Sequence, residues 1–142
     1  MNGKVREAIE NAVKRETFAQ ALNMKLVALE DGYSVVEMIY TPENMNNMYD
    51  RAHGGALFGL IDEAFETAGQ TKGTNAVALN VNITYVNSPK PGSRLRAEAN
   101  RVSETQKTAS FDIKITDQDG NIITTCQALA YQTGKPIPFL YS

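Results

Sequence analysis

The 142-residue sequence predicts an α+β fold in which one long helix is wrapped by an antiparallel sheet of about five to six strands. Three observations predict it. From about Gly54 to Thr71 apolar residues recur at helical spacing, with Leu57, Leu60, Ile61, Ala64, Phe65 and Ala68 on one wide arc. Beyond Gly73 the apolar period changes from 3.6 to 2. The alternating segments are separated by tight-turn signals rather than crossover-length connections, so the strands are antiparallel.

In order along the chain, residues 2–15 place Val5, Ala8, Ile9, Ala12 and Val13 on one face, predicting an amphipathic N-terminal helix, with a short helical turn around Thr17–Leu22. Lys25–Glu30 and Tyr33–Tyr40 flank Asp31-Gly32, a hairpin signal. Pro42 to Ala52 reads as an irregular polar loop. The long helix follows, closed by Gly73. In the next strand Val77, Leu79, Val81, Ile83 and Tyr85 are expected to share a face. Pro89, Pro91 and Gly92 then break the chain. Two more strands put Leu95, Ala97 and Ala99, then Ala109, Phe111, Ile113 and Ile115, on their inner faces. Asp119-Gly120 leads into a last strand at about Ile122–Tyr131. Residues 1–142 read as one domain without repeats or linkers.

Composition excludes several function classes. Fourteen basic and 16 acidic residues give a net charge of −2 with no block of like charge, so neither a nucleic-acid nor a membrane partner is expected. No apolar run approaches the ~20 residues that span a bilayer, and a cytoplasmic protein is expected. Cys126 is the only cysteine and His53 the only histidine, so there is no intrachain disulfide and no Cys/His metal site; neither metal nor cofactor is expected. Any Ser-His or Cys-His mechanism would have to use His53, and no G-x-S-x-G elbow, phosphate-binding loop or H-E-x-x-H is present. An enzyme built from this chain must work with carboxylates, backbone amides and amide side chains.

One segment fits that description. HGGALFGLIDEAF, preceded by Asn47 and followed by AVALNVNITYVNSPKPG, resembles the hotdog-fold acyl-CoA thioesterases, in particular the phenylacetate-degradation-type branch with its N-x-x-G-x-x-H-G-G…D signature. The similarity runs in order from about Tyr33 to Tyr131. It implies a cofactor-free hydrolase of acyl-CoA thioesters, a homo-oligomer that is a dimer or a dimer of dimers (homotetramer), and a site shared across a two-fold axis. Residue by residue, the catalytic carboxylate falls on Asp62, the thioester-polarising N–H on Gly55, and the positioning amide and imidazole on Asn47 and His53. Two departures stand out: Asp50 replaces the usual glycine, and Ala78 replaces a serine found in some relatives.

The residue types suit the chemistry. Thioester hydrolysis builds negative charge on the carbonyl oxygen, and a helix N-terminus offers unpaired N–H groups and a favourable dipole. Glycine at 54 and 55 permits close approach of a ligand, and Gly54, Phe58 and Met48 are the expected substrate contacts. Asp62 could activate water or attack directly. An aspartate beside an apolar arc is ordinarily a solvated surface residue, and the motif reverses that reading here. Glu63 and Glu66 point farther from the apolar wall and are expected to be solvated. Lys90, Arg94 and Lys135 are candidate phosphate contacts. The alternative function is a non-catalytic hotdog module that binds acyl-CoA or fatty acyl ligands, for which Asp62 would not be required.

Overall fold

The computed structural model describes residues 1–141. Helix α1 (Gly3–Arg15) starts at Asn2, whose Oδ1 accepts from the Lys4 and Val5 N–H groups at 2.8 and 3.3 Å, and ends with Lys14 and Arg15 in its last turn. It buries Val5, Ile9 and Val13. A five-residue α2 (Thr17–Ala21) follows at once. Strands β1 (Lys25–Glu30) and β2 (Tyr33–Ile39) form the expected hairpin about Asp31-Gly32. Gly32 has φ +65, and a Cβ there would meet Arg101 at 2.8 Å.

The segment read as an irregular loop contains a helical turn, α3 (Pro42–Met45), and closes on itself through an isolated Asn46–Ala52 bridge. Proline at the first helical position and the Tyr40 hydroxyl donating to Asn46 Oδ1 supply the order that its polar composition concealed. Helix α4 (Gly54–Gly69) buries the expected arc of Leu57, Leu60, Ile61, Ala64, Phe65 and Ala68. It ends two residues before Thr71, and Gly73 turns the chain at φ +82.

Strands β3 (Thr74–Tyr85), β4 (Arg94–Glu104), β5 (Thr108–Thr116) and β6 (Ile122–Pro136) complete one six-stranded sheet, ordered β1-β2-β4-β5-β6-β3, with every neighbouring pair antiparallel. Helix α4 packs chiefly on β2 and β4 and reaches β5 and β3. Alanines at 97, 99, 128 and 130 let the helix lie close, while Phe111, Ile113 and Ile115 fill the space beside it. Phe65 and Phe111 meet edge to face with ring centroids 5.4 Å apart, and the Ser34 hydroxyl donates to the Ala64 carbonyl at 2.7 Å.

Strand β3 departs from its expected alternation. A bulge falls at Leu79, because Ala78 pairs with Ala130 and Asn80 with the adjacent Leu129. The extra residue resets the pleat: Val81 and Ile83 pack on the core, but Val77 and Leu79 are 46% and 57% exposed. The strand lies at the sheet edge, bonded only to β6.

Candidate active site

His53 is the N-cap of α4. Its Nδ1 accepts the Gly55 N–H at 2.8 Å, so Nδ1 is unprotonated and the proton of the neutral ring is on Nε2. Its own N–H donates to the Met45 carbonyl at 2.7 Å, fixing the loop to the helix start. The Gly54 carbonyl accepts from the Tyr85 hydroxyl at 3.0 Å, and a Cβ at Gly54 would meet the Tyr85 ring at 3.2 Å. The Gly54–Gly55 peptide is therefore pinned at both ends, its oxygen by Tyr85 and its N–H by His53. Among the described residues the Gly54 N–H has no acceptor, which makes it the open donor of the helix terminus.

Asn47 shapes the preceding loop. Its Oδ1 accepts from the Tyr49 and Arg51 N–H groups at 2.8 and 3.1 Å, and its own N–H donates to the Arg51 carbonyl at 2.7 Å. Its side-chain NH2 makes no hydrogen bond among the described residues. Asp50 sits at φ +57, a conformation glycine adopts freely and aspartate tolerates, so the substitution at this position leaves the turn intact. Asn47, Arg51, Gly54, Tyr85 and Asn87 line a groove of about 260 Å³.

Asp62 is not in that groove. It lines a second one, of about 330 Å³, with Phe65, Glu66, Gly69, Ala78 and Ala130. Two turns of α4 separate it from Gly55. Asp62 is exposed at the groove's edge, yet the desolvation imposed by its neighbours, and then the charge of Glu16, raise its pKa from 3.8. Ala78 lines the same groove, so no hydroxyl stands there. Phe58 is half-buried and Met48 is 88% exposed; neither lines either groove. Lys90, Arg94 and Lys135 are exposed. The strand pairings put Arg94 at the end of the sheet that holds Tyr85, and Lys135 at the opposite end.

The expectation for Glu63 is overturned. Glu66 is exposed as expected, but Glu63 is only 3% exposed. Helical geometry gives its angle from the sheet correctly, yet the α1–α2 segment forms a second layer over that flank of α4. A Cβ at Gly59, on the same flank, would meet the Phe18 ring at 2.7 Å. The Gly59 flank is thus covered by this chain itself. Burial, then Glu16 and Glu66, push the Glu63 carboxyl far above the ordinary range, and Glu66 rises too. Tyr85 and the Glu16–Glu63 approach carry no local sequence signal, since each joins residues more than thirty positions apart through the fold.

The profile of the thioesterase superfamily matches residues 49–124, from the loop before α4 into β6. The chain belongs to the thioesterase superfamily. This thioesterase is 30% identical to an Archaeoglobus fulgidus protein provisionally named an esterase, over 88% of this chain and 80% of that one. It is 28% identical to the acyl-coenzyme A thioesterase PaaI of Escherichia coli, over 87% of this chain and 88% of PaaI. The solved PaaI structure superposes with a TM-score of 0.89, covering 94% of this chain and 96% of that one. The smu.793 protein of Streptococcus mutans, solved bound to acetyl CoA, is 28% identical with a TM-score of 0.76 over 81% of this chain and 92% of that one. The fold is therefore the hotdog fold, and the chain is a thioester hydrolase by family. No helix among the described residues is long and apolar enough to cross a membrane.

Proposed function

We propose that this thioesterase hydrolyses acyl-CoA thioesters in a site assembled from two copies of the chain. The observation that carries the reading is the separation of Asp62 from the donors at the start of α4, in two different grooves of one chain. Each half has the chemistry of one side of the reaction. Asp62 takes the proton of a water as that water attacks the thioester carbon. The N-terminus of α4 receives the developing oxyanion through the open Gly54 N–H and through the Gly55 N–H, which His53 Nδ1 holds until a stronger acceptor arrives. Asn47 fixes the loop and offers its free NH2 to substrate or water. Collapse of the tetrahedral intermediate expels the CoA thiolate. Similarity to PaaI, and to a relative that binds acetyl CoA, supports CoA as the thiol.

Thiol release measured over short, medium, long and aromatic acyl-CoAs tests this. Hydrolysis of at least one class is expected, with Asp62→Asn lowering kcat by at least ~100-fold without unfolding the chain. Acyl-CoA binding without hydrolysis anywhere in the panel would make the protein a binding module. A single turnover in H2¹⁸O should put the label in the released acid and none in Asp62, as direct attack of water requires. Label incorporated into the Asp62 carboxylate would instead identify it as a nucleophile whose anhydride is opened at its own carbonyl.

A further inference from the structure

We infer that Glu16, Glu63 and Glu66 form a binding site for one hard divalent cation, Ca²⁺ in preference to Mn²⁺ or Mg²⁺, at the junction of α1, α2 and α4. Glu63 and Glu66 are three residues apart and so neighbours on one face of α4. Glu16 joins α1 to α2, its backbone held by N–H donation to the Val13 carbonyl at 3.2 Å and by accepting the Gln20 N–H at 3.0 Å. It occupies the N-cap position of α2, yet its side chain makes no capping bond there. One carboxylate oxygen from each of the three lies within 4.8 Å of the others.

The second observation is independent of that proximity. Glu63 is nearly fully buried, and no N–H, hydroxyl or cation reaches its enclosed Oε2; the polar groups set against its carboxyl are the carboxyls of Glu16 and Glu66. A buried carboxylate ordinarily pairs with a cation or accepts several N–H bonds. Among the described residues no Lys or Arg forms an ion pair with any of the three. The nearest further charge on α4 is Asp62, also acidic, and Arg15 lines the neighbouring groove without pairing. The site is thus short of positive charge, with at least one lone-pair-bearing oxygen left unused.

The donor set selects the ion. Carboxylate oxygens without imidazole or thiolate suit Ca²⁺, Mg²⁺ and Mn²⁺. Two Ca–O bonds of ~2.4 Å span up to ~4.8 Å, whereas the shorter, rigid Mg–O bonds require a tighter cage. Glu16 is half-buried and Glu66 exposed, so water can complete the coordination shell. A groove of about 340 Å³ along Ile9, Val13, Gln70 and Phe139 opens onto Glu66 and gives the ion a way in. The bound ion would clamp the α1–α2 segment onto α4 one residue from Asp62.

Calorimetric titration of the EDTA-stripped, dialysed protein with CaCl2, MnCl2 and MgCl2 at pH 8, with matched NaCl as the ionic-strength control, tests the site. Thermal denaturation under the same conditions supplies a second readout. One Ca²⁺ per chain and a Tm that rises with Ca²⁺ are expected. Removing a ligand charge by Glu63→Gln or Glu66→Gln should weaken binding by at least ~10-fold. Glu16→Gln should do the same, so the test survives if one variant fails to fold. No heat and no Tm change beyond the NaCl control at ~1 mM Ca²⁺ or Mn²⁺ would overturn the inference and leave the cluster held by shared protons. Binding that persists unchanged in all three variants would also overturn it.

Discussion

The carboxyl of Asp62 loses some hydration on α4 and faces the charge of Glu16, and both effects disfavour its ionised form. A general base must be deprotonated, so kcat/KM should fall as pH drops through its pKa, with a midpoint above the ordinary carboxylate value of 3.8. A pH–rate profile recorded in EDTA checks this; an acid limb at or below 3.8 would mean that Asp62 is not the titrating base. At the other end of the helix, the Tyr85 hydroxyl donates to the Gly54 carbonyl, which in the proposed reaction makes it a positioning residue. The peptide it holds carries the Gly55 N–H, so the hydroxyl both orients and polarises that donor. Tyr85→Phe keeps the ring over Gly54 and removes one neutral hydrogen bond, which should lower kcat by about 3- to 10-fold with KM and Tm little changed. A change in KM alone would assign the ring to binding instead.

At the scale of elements, α4 and β3 divide the labour. Helix α4 was legible because its apolar arc is set by spacing alone, and Leu57, Leu60, Ile61, Ala64, Phe65 and Ala68 are buried as that spacing demands. Gly54 and Gly55 were legible as the helix start. The capping role of His53 was not, because histidine is not among the residues that ordinarily cap a helix and only the fold shows its Nδ1 accepting the Gly55 N–H. Glu63 was not, because periodicity fixes an angle about the helix axis but not which segment will cover that angle. The Leu79 bulge was equally hidden: a period-2 pattern reads the same whether or not one residue is later left unpaired. The short α3 in Pro42–Met45 depends on Tyr40 and the Asn46–Ala52 bridge, contacts that a polar loop composition does not disclose. What the bulge leaves behind is an edge strand with exposed Val77 and Leu79 and unpaired backbone groups, a surface that suits a second copy. Leu79→Lys should therefore shift light scattering from a dimer or tetramer toward monomer and lower activity with it. A wild-type chain that is monomeric at micromolar concentration and fully active would contradict the assembly.

For the molecule as a whole, distance along α4 is the argument for the proposed two-copy site. Seven residues of helix place Gly55 and Asp62 roughly 10 Å apart along α4, whereas reacting groups must come within ~3 Å. One chain cannot bring its own Asp62 to a carbonyl held at its own helix start. A second copy with its α4 running antiparallel can, placing Asp62 of one protomer opposite Asn47, His53 and Gly55 of its partner. Complementation tests this most directly. Asp62→Ala and Asn47→Ala, each prepared alone and each nearly inactive, are unfolded, mixed in equal amounts and refolded. A shared site gives each heterodimer one intact site and one carrying both lesions. Random pairing makes about half the dimers heterodimers, so activity should recover to about a quarter of wild type. Mixed dimers that demonstrably form yet remain inactive would show that the site is not shared between protomers.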